Sequence, residues 1–457
     1  MATLLVKNAQ VLLTMDEKQN VIPDGGMFIR DNVIEQIGPT ASLLEAADRV
    51  IDASGMVLMP GLINTHHHLY QTLTRALPGA QDAKLFDWLV RLYPVWGELT
   101  DEANYVSSKI GFAELIMTGC TTVADHLYLY PNDVSLDTCI RAAEEMGVRF
   151  HPTRGSMSLG RSKGGLPPDH VVQDEDTILK DSQRLIDTYH DPEPYAMVRL
   201  TLAPCSPFSV TADAMREAAS LARSYDKVML HTHVAETRDE QDFTLEQFGM
   251  RPAAYMEHLG WVGDDTWWAH CVHLDDSEIR MMAETGTGVA HCPSSNMRLG
   301  SGIAKIRQML DAGVKVGLAV DGSASNDRSS MLDEARQALL LQRVENGADG
   351  LSVMETLRIG TVGSASVLGR DDIGSLAEGM AADFIGFRTD RPEMAGGAVH
   401  DPVAALLLSS PYTVDLSVIN GKIIVEDGSL QGVDMAALVA RHNELAAAMA
   451  AKHPYEA

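Results

Sequence analysis

The sequence has few of the features that mark a secreted, membrane-bound or disulfide-stabilised protein. Its 457 residues include only five cysteines, an odd number without a CxxC pair, which indicates a reducing compartment and no disulfide framework. The chain start has no basic segment followed by a long apolar one. No apolar run reaches the ~18 residues of a membrane span. We therefore expect no signal peptide, no membrane contact and a cytoplasmic location.

Basic residues are scarce relative to acidic ones. The chain has 36 Lys and Arg residues against 63 Asp and Glu residues, a formal net charge of -27. This charge repels nucleic acid and anionic membranes and disfavours a polyanionic substrate. A small uncharged heterocycle is compatible with it. The length allows one to three domains, and the composition leaves a homo-oligomer open.

Repeats and low-complexity tracts are absent, and the two ends of the chain have similar patterns. Residues 1–58 and 375–435 consist of short β-rich segments separated by Asp, Asn and Gly turns. In the second segment, Asn420-Gly421 is a typical two-residue hairpin turn. We predict that the two ends pair into one small β-sandwich domain and that a helical tail covers residues 436–457.

The long middle segment, residues 59–374, alternates short apolar strands with amphipathic helices. No GxGxxG turn follows its first strand, which disfavours the alternative of a doubly wound open sheet. Eight strand–helix units instead predict a (β/α)8 TIM barrel. The predicted barrel strands are residues 57–63, 121–125, 148–153, 198–203, 228–231, 266–269, 288–291 and 316–320.

One connection in the middle segment is unusually long. Residues 154–169 (RGSMSLGRSKGGLPPD) are rich in Gly, Ser and Pro and follow the third predicted strand. In a TIM barrel this position lies over the C-terminal face, where active sites are built. We predict a lid over the barrel mouth, with an exposed insertion of no functional consequence as the alternative.

Histidines follow the first predicted strand. The segment NTHHH, residues 64–68, comes shortly after a Pro60-Gly61 break. Because alternate side chains of an extended chain share a face, His66 and His68 can point together into the barrel mouth. Two imidazoles on one face are a starting pair for Zn²⁺ or another divalent ion, although such a pair alone is weak evidence.

Further ligand-type residues end three other predicted strands. The fifth strand ends in a second pair, His231 and His233, followed by Glu236. His270 ends the sixth strand and Asp321 ends the eighth. The carboxyl ends of barrel strands meet at one face, so a metal centre is predicted there. Three histidines near these ends are interpreted as core or capping residues: His231, His273 and His291.

These motifs resemble the amidohydrolase superfamily, in its branch of nucleobase and triazine aminohydrolases. The resemblance runs nearly end to end and is carried by PGLINTHHH, HTHVAE, WWAHCVH, HCPSSNMRLGSGI and VDGSASND. The segments RGSMSLG and LAPCSPFSVT are most similar to those of the 8-oxoguanine deaminases. The resemblance implies hydrolytic deamination of 8-oxoguanine to urate and ammonia. Isoxanthopterin, guanine and hydroxyatrazine-type triazines are the alternative substrates.

The resemblance also assigns roles to individual residues. It implies four ligands of one divalent metal ion: His66, His68, His233 and Asp321. His233 is chosen over His231 because the family places a proton-shuttling Glu three residues after the ligand, and here that residue is Glu236. His270 matches a histidine that bonds the reacting water or the substrate, and thus stabilises the developing oxyanion.

The same resemblance sets the expected number of metal ions. Binuclear members bridge two ions with a carboxylated lysine from the fourth strand, and residues 200–204 (LTLAP) contain no lysine. One ion is therefore expected, zinc with iron or manganese as alternatives. Zinc lowers the pKa of bound water toward about 7. Asp321 is expected to accept a proton from that water, and Glu236 to protonate the ring nitrogen.

Substrate contacts are predicted from three residue types near the barrel mouth. Gln71 offers an amide donor and acceptor to a lactam edge, Trp88 can stack on a planar ring, and Cys205 closes the fourth strand. Each is equally compatible with plain packing. Two other functions stay open: a triazine hydrolase that releases an alkylamine or chloride, and a metal-free barrel with a structural role, against which the ligand set argues.

Overall fold

The chain folds into a parallel barrel and a second, mixed sheet. The computed structural model describes residues 2–44 and 46–455. The strands are, in chain order, β1 (Thr3–Leu13), β2 (Val21–Arg30), β3 (Val33–Pro39), β4 (Arg49–Asp52), β5 (Met56–Pro60), β6 (Leu62–Asn64), β7 (Cys120–Leu127), β8 (Arg149–Ser156), β9 (Thr201–Pro204), β10 (Met229–Val234), β11 (Thr266–His270), β12 (Gly288–His291), β13 (Val316–Leu318), β14 (Phe384–Arg388), β15 (Leu416–Ile419), β16 (Lys422–Glu426) and β17 (Ser429–Leu430). The helices are α1 (Leu85–Trp96), α2 (Asp101–Met117), α3 (Leu136–Met146), α4 (Glu175–Tyr189), α5 (Ala212–Ala222), α6 (Arg238–Phe248), α7 (Pro252–His258), α8 (Asp276–Thr285), α9 (Pro293–Arg298), α10 (Ile306–Ala312), α11 (Met331–Asn346), α12 (Val353–Arg358), α13 (Ser364–Val367), α14 (Gly397–His400), α15 (Pro402–Ser409) and α16 (Met435–Ala451).

Strands β6 to β13 form the barrel in chain order, each parallel to the next. The last and first strands meet where Thr65 N–H donates to Leu318 O and Asp321 N–H donates to His66 O, both at 3.1 Å. Every residue of β7, β8 and β10 is buried, as expected for parallel strands that helices cover. The prediction of a TIM barrel is confirmed.

The two ends of the chain form the second sheet. Its strand order is β17-β16-β15-β14-β5-β1-β2-β3, with β4 paired to β1, so strands from both ends lie side by side at β14 and β5. The hairpin between β15 and β16 turns at Asn420 and Gly421, whose φ values of 49° and 76° are left-handed. An Asn-Gly pair favours this two-residue turn. The predicted pairing of the chain ends into one β-domain is confirmed.

The predicted first barrel strand, residues 57–63, is divided between two sheets. β5 pairs antiparallel with β14 in the mixed sheet, whereas β6 pairs with β7 in the barrel. Gly61 separates them where the chain passes against β7, since a Cβ there would lie 2.0 Å from Oγ1 of Thr121. Because both strands are fully buried, their residues form one continuous apolar segment in the sequence, which does not show the boundary between them. The prediction of a single strand is therefore wrong.

Buried polar contacts fix the barrel to the rest of the chain. Arg149 of β8 donates from Nε to Oδ2 of Asp383 at 2.9 Å, next to β14, and both side chains are buried. At the other end, His442 of α16 bonds Oγ1 of Thr72 at 3.0 Å. None of the helices in the described part of the chain is long and apolar enough to span a membrane.

The long connection after β8 begins later than predicted. β8 extends to Ser156, and its Arg154 is a buried strand residue with an ion pair to Asp181 at 2.8 Å. The connection then runs beside the one that follows β9, where Leu166 N–H donates to Phe208 O at 3.3 Å. β8 continues past the apolar residues that marked it in the sequence because Arg154, Gly155 and Ser156 still pair with β9.

Candidate active site

The predicted site residues meet at the carboxyl ends of the barrel strands. His66 and His68 follow β6, His233 lies on β10, His270 ends β11 and Asp321 follows β13. The backbone is left-handed at His270 (φ 72°) and at Asp321 (φ 62°). Such conformations are unfavourable for non-glycine residues and persist where the surrounding structure holds them, often at functional sites.

Backbone acceptors fix the tautomers of His68 and His233. Nδ1 of His68 donates to His126 O at 2.7 Å, and Nδ1 of His233 donates to Cys205 O at 2.6 Å. Each Nε2 therefore carries a lone pair. The two Nε2 atoms lie 3.3 Å apart, and since neither has a proton to share, a cation between them suits this geometry.

A histidine relay fixes the third imidazole. Nδ1 of His231 donates to Trp267 O at 3.0 Å, which leaves its Nε2 to accept from Nδ1 of His66 at 2.7 Å. Nε2 of His66 consequently carries a lone pair too, and this atom is buried without a hydrogen-bond partner. His231, interpreted from the sequence as a core residue, is buried and orients His66.

Asp321 completes the cluster with one of its two carboxylate oxygens. Oδ1 lies 3.2 Å from Nε2 of His66 and 3.4 Å from Nε2 of His68. Oδ2 accepts from the hydroxyls of Ser295 at 2.6 Å and Ser325 at 3.0 Å.

Three of the separations among the ligand atoms of these four residues suit a tetrahedral divalent ion. Ligands at the 2.0–2.1 Å typical of zinc stand about 3.3–3.4 Å from one another in a tetrahedron. The measured separations of 3.2, 3.3 and 3.4 Å agree with this spacing. Burial lowers the pKa values of His66, His68 and His233, so all three are neutral imidazoles, as metal ligation requires.

Glu236 and His270 lie beside this cluster. Nε2 of His270 is 3.6 Å from Oε2 of Glu236 and 3.9 Å from Oδ2 of Asp321, while its Nδ1 donates to Oδ1 of Asn296 at 2.9 Å. Burial raises the pKa of Glu236 to about 7. Burial disfavours the charged form of His270, but the carboxylates of Glu236 and Asp321 raise its pKa overall.

A cavity opens over these groups, with an empty volume of about 420 Å³ that is partly open to solvent. The three residues predicted to contact substrate all line it: Gln71, Trp88 and Cys205. Its apolar wall consists of Leu85, Leu89, Tyr93, Tyr128, Phe208 and Leu299. Among the described residues that line it there is no Lys or Arg, whereas Glu236 and Asp321 are present, so the cavity does not favour an anionic molecule.

The polar groups of the three predicted contact residues are partly engaged by the protein. Nε1 of Trp88 donates to Ala324 O at 3.1 Å, and Oε1 of Gln71 accepts from Ala324 N at 3.4 Å. Both side chains line the cavity despite these bonds. Burial raises the pKa of the Cys205 thiol to about 12, so this side chain is a neutral, weakly polar wall.

His126 is the main residue that the sequence reasoning missed. Its Nε2 donates to Ala203 O at 2.7 Å and its Nδ1 is buried without a partner. Its ligand atom lies within 4.8 Å of those of three others: His66, His68 and His233. It follows the predicted strand 121–125 by one residue, so a histidine at a strand end was the available signal. Of the other two histidines interpreted as core or capping residues, His273 is half-buried and His291 is buried, and neither lines the cavity.

Comparison with known proteins identifies the family of this chain. Residues 57–424 match the sequence model of the Amidohydrolase family. This chain belongs to the amidohydrolase family. It is 48% identical to the 8-oxoguanine deaminase of Pseudomonas aeruginosa, over 93% of this chain and 95% of that protein. The predicted enzyme class, a hydrolase acting on carbon–nitrogen bonds, is confirmed.

Two further relatives broaden the range of family members that this chain is similar to. Isoxanthopterin deaminase from an unknown prokaryotic organism is 36% identical over 95% of this chain and 94% of that protein. The crystal structure of atrazine chlorohydrolase TrzN from Arthrobacter aurescens TC1, complexed with zinc, superposes with a TM-score of 0.92 at 35% identity, covering 97% of this chain and 100% of that one.

Proposed function

We propose that this amidohydrolase deaminates 8-oxoguanine to urate and ammonia. The observation that carries the proposal is the position of Glu236, a buried carboxyl with a pKa of about 7, beside the His₃Asp cluster in a cavity without Lys or Arg among its described lining residues. A carboxyl that exchanges its proton near neutral pH suits acid–base chemistry on a neutral heterocycle. The 48% identity to an 8-oxoguanine deaminase supports the choice of base.

We also propose that one divalent ion, zinc, is held by the cluster of His66, His68, His233 and Asp321. Three of the separations between their ligand atoms, 3.2, 3.3 and 3.4 Å, suit a tetrahedral site. The sequence of β9, TLAP, contains no lysine that could bridge a second ion. The ion, when bound, supplies a water whose pKa falls toward about 7 and which can therefore attack carbon at neutral pH.

The chain's own residues then carry the protons. Asp321 accepts a proton from the attacking water, and its Oδ2 atom is kept in place by two serine hydroxyls. Glu236 delivers a proton to the ring nitrogen, which makes the neighbouring carbon electrophilic. The proton that Asp321 took from the water then passes to the amino group, which leaves as ammonia, and the remaining hydroxyl proton returns to Glu236. His270, whose Nδ1 is held by Asn296, donates from Nε2 to the developing oxyanion.

Three residues of the cavity orient the substrate: Gln71, Trp88 and Cys205. The Gln71 amide faces a lactam edge, while the flat Trp88 ring and the apolar wall bury the faces of the base. The sulfur of Cys205 lies 3.9 Å from Nδ1 of His233, so a base that contacts it also lies next to the proposed ligands.

A reducing, cytoplasmic compartment is consistent with the state of the cysteines, and we propose that location. All five thiols are buried and unpaired, and protein disulfides are rare in the cytosol.

The test is an ammonia-release screen of the purified, zinc-loaded enzyme. The bases are 8-oxoguanine, guanine, isoxanthopterin, cytosine, isocytosine, ammeline and hydroxyatrazine. We expect urate from 8-oxoguanine with a kcat/KM at least roughly tenfold above that for guanine, because a site that hydrogen-bonds a substrate group discriminates against its loss. A higher kcat/KM for isoxanthopterin or hydroxyatrazine would assign the enzyme to that substrate and reject 8-oxoguanine.

A further inference from the structure

A second buried glutamate lies directly behind Glu236. Glu240 of α6 has a side chain that is 1% exposed. Its Oε1 accepts from the backbone N–H of Ala235 and its Oε2 accepts from the backbone N–H of Glu236, both at 2.8 Å. Each oxygen of this carboxylate is therefore used by the turn that carries Glu236.

These hydrogen bonds do not serve the helix end. Glu240 is the third residue of α6, where a glutamate commonly accepts from the N-cap amide, as Glu355 does from Ser352 N at 2.9 Å in α12. In α6 the N-cap is Thr237, whose side chain makes no capping bond. Glu240 reaches past Thr237 to the two preceding amides.

The turn has a conformation that needs such support. Ala235 has a left-handed φ of 55°, which is unfavourable for a residue with a Cβ. Its carbonyl accepts from His273 N at 2.9 Å, while its amide and the next one bind Glu240. The peptide groups on both sides of Ala235 are thus fixed, and Glu236 leaves this turn with Oε2 at 3.6 Å from Nε2 of His270.

We propose that Glu240 is a positioning residue of the active site, which fixes the two amides and thereby aims the Glu236 carboxyl at the reacting atoms. The catalytic consequence rests on the proposed function. Burial raises the pKa of Glu240 to about 8, whereas the hydrogen bonds from the amides of Ala235 and Glu236 favour the carboxylate form, which accepts at both oxygens. Glutamine cannot replace Glu240, because the NH₂ group of its side-chain amide would face a backbone N–H donor.

The test compares Glu240→Gln and Glu240→Asp with the control Glu355→Gln, which alters a glutamate at the same helix position far from the cavity. We expect kcat to fall by up to roughly 10²-fold in Glu240→Gln, as a misplacement of about 1 Å can cause. KM and zinc content should stay unchanged. Glu240→Asp keeps two acceptor oxygens on a shorter side chain, so its kcat should lie between those of the wild type and Glu240→Gln. The kcat of the control should match that of the wild type.

A second readout does not depend on turnover. Hydrogen exchange of the peptide spanning residues 229–240 should accelerate in Glu240→Gln at the amides of Ala235 and Glu236, while the other barrel peptides keep their wild-type rates. Wild-type kcat, wild-type exchange at these amides, or acceleration throughout the barrel would each overturn the positioning role. If Glu240→Gln does not fold, the kcat and the hydrogen exchange of Glu240→Asp test the positioning role instead. If the wild type deaminates none of the bases, the proposed function fails and the exchange result still decides the role of Glu240.

Discussion

Nε2 of His270 lies 3.6 Å from Oε2 of Glu236, and a different neighbour supports each of the two residues. Asn296 orients the His270 ring, and Glu240 fixes the turn that carries Glu236. The two groups influence each other's protonation, since the Glu236 carboxylate raises the pKa of His270 against burial. Groups coupled in this way titrate as a pair, which suits a reaction with two proton transfers.

Glu236→Gln should abolish most of the turnover and leave the metal in place. The substitution keeps the shape of the side chain and removes its titratable proton, so kcat should fall by roughly 10²-fold or more. Glu236 lies outside the cluster of lone pairs, so metal content should be unchanged. Steady-state kinetics and elemental analysis measure the two effects, with exposed Glu246→Gln on α6 as the control. Near wild-type kcat would assign the proton transfer to another residue.

The metal should be lost on removal of a proposed ligand but not on removal of His126. We expect elemental analysis to give one ion per wild-type chain. His233→Asn removes an Nε2 lone pair from the tetrahedral set and should give metal-free protein. His126→Asn should retain the ion, because the proposal assigns the four ligand positions to other residues; loss of the ion would add Nδ1 of His126, which has no hydrogen-bond partner, to the ligands. Two tightly bound ions per active chain, or metal loss from His126→Asn, would contradict this assignment.

The sequence predicts the order of the ligand-type residues along the chain. It does not predict the side chains and backbone groups that orient them. HxH and HTHVAE show ligand-type residues at strand ends because the spacing is local. The relay from Trp267 through His231 to His66 joins residues far apart in the chain, so no local pattern contains it.

Other features could not be predicted because residues buried in different surroundings have the same apolar sequence pattern. The boundary between β5 and β6 lies inside one apolar run, since both strands are buried in different sheets. Likewise, Phe208 and Leu299 line the cavity but have the sequence character of ordinary core residues. His126 ends an apolar strand, and its orphaned Nδ1 is visible only in three dimensions.

The lid over the barrel mouth remains a prediction that the structure allows us to test more sharply. Arg154 must be kept, because its buried guanidinium pairs with Asp181. A deletion of residues 161–165, which are mostly exposed, removes the outer turn and weakens the support of Phe208 by Leu166. We expect lower kcat/KM with little change in the melting temperature. Marked destabilisation would show that the turn is structural, and unchanged kinetics would reject the lid.

The stability of the protein should fall as pH rises through neutrality because of Glu334. This buried side chain accepts from Ser294 N at 3.2 Å and from Nδ2 of Asn326 at 2.6 Å, and burial raises its pKa to about 8 from 4.5. The folded state therefore retains a proton that the unfolded chain releases. This contribution to stability is fully present below about pH 4.5 and is lost as pH rises through about 8.

The measurement is the free energy of unfolding in urea from about pH 5 to about pH 9 at constant metal concentration. Glu334→Gln removes the titration, so its stability should depend less on pH than that of the wild type. Glu345→Gln, an exposed position on the same helix, should retain the wild-type slope. Equal slopes for the wild type and Glu334→Gln would mean that Glu334 is ionised in the folded state across this range, with Asn326 and Ser294 compensating its burial.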